Sequence, residues 1–186
     1  MRIISGYLRG RKITQPNNKL TRPLKDLMKE SIFNILQHSN LISFSLEKSK
    51  ILDLFSGVGS FGLECISRGA QNVIFCENYS EAIKILKKNI TNLKCHQKTQ
   101  IITKNIFNIK NLNQFHKKKF EIIFLDPPYK EKKLTNLLDD ILSLKLLKNN
   151  GIIIIHRHKK EEEIYPKKFK ILKIKTYGIS KIIFGN

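Results

Sequence analysis

"KILDLFSGVGSFGLECISR", Lys50 to Arg68, changes character twice. It opens as a short apolar run, passes through Gly57, Gly59 and Gly62, and continues with apolar residues at helical spacing. An apolar run bounded by glycine reads as a buried strand, and the pattern after it as a helix packed back on that strand. The alternation repeats downstream. "NVIFCE" precedes "EAIKILKKNITNL", "QIITKN" precedes a weak helical stretch, "FEIIFLD" precedes "LTNLLDDILSLKLLK", and "GIIIIH" follows. Short apolar runs separated by helices predict a parallel sheet covered by helices on both faces. The final runs, "FKILKIKTY" and "KIIFGN", are too close for a parallel crossover and must pair antiparallel. The reading is an α/β chain with a mostly parallel seven-stranded sheet and an antiparallel last strand.

Upstream, "MRIISGYLRGRKITQP" contains two short extended runs, Arg2 to Ile4 and Lys12 to Thr14, which predict a hairpin around Gly6 and Gly10. "RPLKDLMKESIFNILQH" then carries apolar residues every three to four positions, which predicts one helix, with Pro23 early. After a serine-rich link the strand pattern begins. The division expected is residues 1–45 as a basic hairpin and helix, and 46–186 as the catalytic domain. At 186 residues and 41% apolar, the chain can bury a core. No run approaches the roughly 18 apolar residues of a membrane span, and Arg9, Arg11 and Lys12 interrupt the region where a signal peptide is apolar. A cytoplasmic location without a membrane partner is expected. Cys65, Cys76 and Cys95 form no CxxC pair and read as reduced, packed thiols. Neither they nor the histidines show metal-ligand spacing, so no metal is expected.

Thirty-five Lys and Arg against 15 Asp and Glu give a formal charge of +20, which points to a polyanionic partner. Of six arginines, Arg2, Arg9, Arg11 and Arg22 lie in the first 25 residues, which hold no acid. Arg9, Arg11, Lys12 and Arg22 are therefore candidate contacts to an RNA backbone.

In an open parallel sheet, ligands bind beyond the carboxyl ends of strands where the winding switches. Gly57-x-Gly59-x-x-Gly62 matches a dinucleotide loop, but Asp53 in front of it would repel a pyrophosphate and suits a positively charged ligand such as a sulfonium amino acid. Asp53, Phe55, Gly57 and Gly59 form the first part of this ligand site. Glu77, ending the second strand, can accept hydroxyls of a ribose, and Asn105 at the end of the third can bond an adenine edge. The fourth strand ends on Asp126-Pro127-Pro128-Tyr129, where proline forces the chain out of the sheet. The Asp126 carboxylate and the Pro127 carbonyl are two rigid acceptors for an amine, and Tyr129 offers a ring on which a base can stack.

Together the glycine loop, Glu77 and the Asp-Pro-Pro-Tyr terminus resemble the amino-methyltransferase branch of the S-adenosylmethionine-dependent enzymes. "MRIISGYLRGRKI", "TRPLKDLMKESIFNIL", "LDLFSGVGSFGLECISRGA", "FLDPPY" and "KTYG" follow, in order and spacing, the RsmD family of bacterial methyltransferases. The resemblance implies a Rossmann-like methyltransferase fold with S-adenosylmethionine as cofactor. It implies methylation of a guanine N2 in small-subunit (16S) rRNA, with free rRNA or the assembling 30S subunit as partner; nothing in the sequence points to an oligomer, so a monomer is expected. Catalytic roles fall on Asp126, Pro127 and Tyr129. That family usually carries Asp where this chain has Asn105, and often an acid where His156 stands; His156 is assigned no role. Two alternatives stay open: an adenine-N6 methyltransferase on DNA or RNA, and a non-catalytic RNA-binding assembly factor.

Overall fold

β1 (Lys50–Leu54) and β4 (Phe120–Leu125) lie at the centre of the sheet, where apolar side chains on both faces are buried. They belong to a computed structural model that describes residues 1–16 and 26–186. The remaining strands are β2 (Asn72–Cys76), β3 (Thr99–Ile102), β5 (Leu147–His158), β6 (Ile171–Tyr177) and β7 (Ser180–Gly185). Their order is β3-β2-β1-β4-β5-β7-β6. All neighbours from β3 to β5 run parallel, whereas β7 pairs antiparallel with both β5 and β6. This agrees with the sequence reading and adds that the last strand inserts between its two predecessors. From β1 the chain winds outward to β2 and β3, then returns to place β4 on the other side of β1. The crevice outside the carboxyl ends of β1 and β4 is thus the switch point.

Alternation along each strand sends side chains to two cores. On one face Ile51, Phe124 and Ile154 meet α1 (Asp26–His38), α2 (Ser60–Ser67) and α3 (Ser80–Asn92), with Phe61 stacked between Phe33 and Phe124 at 5.4 and 4.0 Å. On the other, Leu54, Ile123 and Ile153 meet α4 (Ile109–Leu112) and α5 (Leu134–Ser143). Among the described residues, no helix is long and apolar enough to cross a membrane.

Two boundaries differ from expectation. The helix read through Lys148 stops at Ser143, because Lys145 takes a left-handed φ of 51° and the chain reverses to pair Leu147 with Phe120. The N-terminal hairpin shrinks to one bridge, Arg2 with Lys12, because the Ile4 and Ser5 amides turn away to the Glu64 carboxylate at 2.8 and 3.0 Å. Ile3 and Ile13 pack into the same core as α2 and β1, so these first residues are anchored along the sheet domain. Buried Asn89 continues the attachment, bonding both Thr14 backbone groups and the Val58 carbonyl.

Candidate active site

At the end of β1 the backbone turns sharply. Phe55 holds a φ of 61°, an unusual conformation for a bulky residue, and rests on Phe107 at 5.2 Å. The loop is then pinned from two sides. The Gly57 amide donates to Glu77 Oε2 at 2.7 Å, and the Gly62 amide to Asp53 Oδ2 at 3.0 Å. Gly59 caps α2 with φ 85°, a conformation glycine adopts without penalty. At Gly62 the helix lies so close to β2 that a Cβ would sit 2.3 Å from the Phe75 ring. These glycines let a helix N-terminus approach the strand ends.

Asp53 is 1% exposed. Its Oδ1 is buried and has no hydrogen-bond partner among the described residues. Burial pushes the Asp53 carboxyl well above the usual carboxylate range; the Gly62 amide opposes this, and the nearby Asp126 and Glu77 charges add to it. A carboxyl raised in this way favours the fold below its ordinary value of 3.8, and the contribution is lost as pH rises through the folded value. Asp53→Asn removes that loss. The melting temperature of the variant relative to wild type should therefore shift in the variant's favour between about pH 4 and pH 7, and a constant difference would refute the account.

Glu77 uses three of roughly four lone-pair directions on backbone amides: Oε2 on Gly57, and Oε1 on Asn78 and Tyr79 at 2.9 and 2.8 Å. One direction on Oε2 stays open, where the sequence reading had Glu77 receive both hydroxyls of a ribose.

Opposite the loop, β4 ends and Asp126 to Tyr129 leaves the sheet. Asp126 Oδ1 receives a bond from His156 Nδ1 at 2.7 Å. Arg157, 1% exposed, donates to the carbonyls of Pro128, Tyr129 and Glu131 at 2.9, 3.0 and 3.2 Å, and pairs with Glu163. The Tyr129 hydroxyl lies 3.2 Å from Ser180 Oγ, and its ring stands edge-on to His158.

The two walls enclose a cavity of about 520 Å³. It brings together Asp53, Phe55, Gly57, Glu77, Asp126, Pro127 and Tyr129, and adds Pro16, Phe61, Phe124 and His156. Gly59 acts from behind the lining. Asn105 does not reach it. β3 stops at Ile102, and the Asn105 side chain is exposed and accepts the Phe107 amide at 3.0 Å, forming a turn of its own. Arg9, Arg11 and Lys12 are exposed on the N-terminal hairpin, outside the cavity, and Arg22 lies outside the described residues.

All of the chain, residues 1–186, matches the family described as "Conserved hypothetical protein 95". It is 36% identical over 186 residues to ribosomal RNA small subunit methyltransferase D of Haemophilus influenzae, covering 96% of this chain and 90% of the relative. The chain belongs to the RsmD family. A Buchnera aphidicola protein that bears the same name as the Haemophilus relative is also 36% identical, across 93% of this chain and 86% of that one. Among solved structures, the Escherichia coli protein yhhF superposes with a TM-score of 0.80 at 25% identity, covering 100% of this chain and 96% of that chain. The rRNA methyltransferase aviRa of Streptomyces viridochromogenes, at 13% identity and TM-score 0.69, covers 92% of this chain and 88% of its own; it shares the fold.

In this RsmD-family chain, sequence reasoning missed His156 and Arg157. A single histidine at a strand end carries no role by sequence alone, and neither does the arginine beside it. Both meet the Asp126–Glu131 turn from the next strand, and no spacing rule links residues about 30 positions apart. The available signal was polarity: "HRH" directly follows four isoleucines that belong in the core.

Proposed function

We propose that the protein is an S-adenosylmethionine-dependent methyltransferase that modifies the exocyclic N2 of a guanine in small-subunit rRNA. One observation carries this reading: a chain of charge +20 lines the cavity at its sheet switch point with Asp53, Glu77 and Asp126. Such a pocket disfavours phosphate and favours a cation, while the basic exterior favours a nucleic acid.

The residues fit the cofactor. The unpartnered Asp53 Oδ1 is an acceptor for an ammonium, the open direction on Glu77 Oε2 for a ribose hydroxyl, and Phe55 and Phe61 are apolar surface. When bound, S-adenosylmethionine supplies a methyl carbon on a positively charged sulfur, which leaves with the bonding electron pair.

The amine is a poor nucleophile because its lone pair is delocalised into the ring. The Asp126 carboxylate and Pro127 carbonyl each accept one N–H, which pyramidalises the nitrogen and directs its lone pair at the methyl. As the N–C bond forms, one of those protons passes to Asp126 and then to water. Tyr129 stacks on the base, a contact worth about 1–3 kcal/mol and available only to an unpaired nucleotide. Residues 1–45, with Arg9, Arg11, Lys12 and Arg22, serve as the RNA-contacting extension of a catalytic unit spanning 46–186.

The test is incubation with labelled S-adenosylmethionine and unmodified small subunits or their rRNA, followed by nucleoside analysis. Label is expected in N2-methylguanosine. Label in N6-methyladenosine would reassign the base, and no incorporation on either substrate would remove the enzymatic reading.

A further inference from the structure

We propose that His156 is a positioning residue for methyl transfer: it holds one oxygen of Asp126 so that the other is presented to the substrate amine. This rests on the methyltransferase reading above.

A free carboxylate rotates about its Cβ–Cγ bond over a broad, two-fold range. Asp126 does not have that freedom. β4 and β5 run parallel with Leu125 level with Ile155, so Asp126 and His156 emerge side by side at the sheet edge. His156 is 4% exposed, and its Nδ1 lies 2.7 Å from Oδ1, the short distance of a charge-assisted bond. A carboxylate can only accept, so Nδ1 carries the hydrogen. The ring is itself held, edge-on to Tyr129 at 6.0 Å.

The following residue completes the arrangement. Successive side chains on a strand point to opposite faces, so Arg157 reaches the turn from the other side and occupies the carbonyls of Pro128, Tyr129 and Glu131. No described residue donates to the Pro127 carbonyl or to Asp126 Oδ2. Those are the two oxygens that the reaction needs. The end of β5 thus decides which acceptors of the turn stay open, one through His156 and the other by default of Arg157.

The variants His156→Phe, His156→Asn and His156→Gln separate positioning from bulk. Asn can place its amide N–H where Nδ1 stood; Gln reaches the Nε2 position instead, and Phe fills the space without a donor. kcat and KM are measured on unmodified small-subunit rRNA, and S-adenosylhomocysteine binding by calorimetry. H156F and H156Q should lose about 10–100-fold in kcat, the scale of an ångström-level misplacement, with S-adenosylhomocysteine affinity within about two-fold of wild type. H156N should recover most of the rate. Should the phenylalanine variant misfold, the Asn and Gln pair still decides. Wild-type kcat in H156Q, or H156N as slow as H156Q, overturns the proposal while leaving the function intact. A wild-type protein that transfers no methyl overturns both.

Discussion

Asp126→Ala should lower the rate of methyl transfer by about 10²–10³-fold, the scale seen when one preorganised polar contact to a reacting group is removed. Affinity for S-adenosylmethionine should change little, because the cofactor is proposed to be held across the cavity by Asp53 and Glu77. The more telling variant is Asp126→Asn. His156 Nδ1–H already points at the Oδ1 position, so the amide will place its oxygen there and turn its NH2 toward the substrate. Two N–H groups then face each other, and the amine cannot be pyramidalised. Asp126→Asn should therefore be as slow as the alanine variant, although it is nearly isosteric with wild type. Single-turnover transfer of labelled methyl to unmodified rRNA measures this. More than a tenth of wild-type rate in either variant would show that the carboxylate does not shape the nucleophile.

Much of this site was legible because its parts are local. Pro127 and Pro128 end a strand for reasons internal to the dipeptide, and Gly57 and Gly59, both at positive φ, mark a tight turn, whereas Gly62 serves the close packing of α2 on β2. Asp53 and Glu77 follow from their place at strand ends, which the apolar runs delimit. What escaped depends on pairing across the sheet. Periodicity reports which face of a strand is buried, but not which strand stands next to it, so the bonds from β5 to Asp126, Pro128 and Tyr129 had no local signal. Asn105 shows the opposite error: "QIITKN" reads as one extended run, yet the chain leaves the sheet after Ile102, and the side chain serves its own turn. The same limit applied at the N-terminus. Two runs with β character form only one bridge, because Glu64, 60 positions away, competes for the Ile4 amide.

That competition makes Glu64→Ala the substitution with the largest expected cost in stability. Glu64 is fully buried on α2, receives three donors, the amides of Ile4 and Ser5 and Arg68 Nε at 2.8 Å, and forms an ion pair with the Lys29 ammonium at 3.6 Å. Lys29, also fully buried, donates to the Arg2 carbonyl at 2.7 Å. Removing Glu64 leaves a buried ammonium short of its main counter-charge and two amides unpaired. Breaking a buried pair from one side costs about 3–5 kcal/mol, which for a chain of this length is a fall of roughly 10 °C in Tm. Burial already lowers the Lys29 pKa from its ordinary value of 10.5, and Glu64 and Asp26 partly restore it. A lysine lowered on folding releases protons in the native state, so stability rises with pH as it approaches that value. Without Glu64 the lowering deepens and the effect grows. The Tm deficit of Glu64→Ala should accordingly be smaller at about pH 9.5 than at about pH 7. A deficit under about 1 kcal/mol, or one that does not change with pH, would show that the arm is held by its apolar contacts alone. The consequence reaches the cavity, because the segment anchored by Glu64 runs on through Thr14 to Pro16 in its wall. Glu64→Ala should therefore weaken rRNA binding, through Arg9 and Arg11 on the loosened arm, while the affinity for S-adenosylhomocysteine at the strand ends falls less.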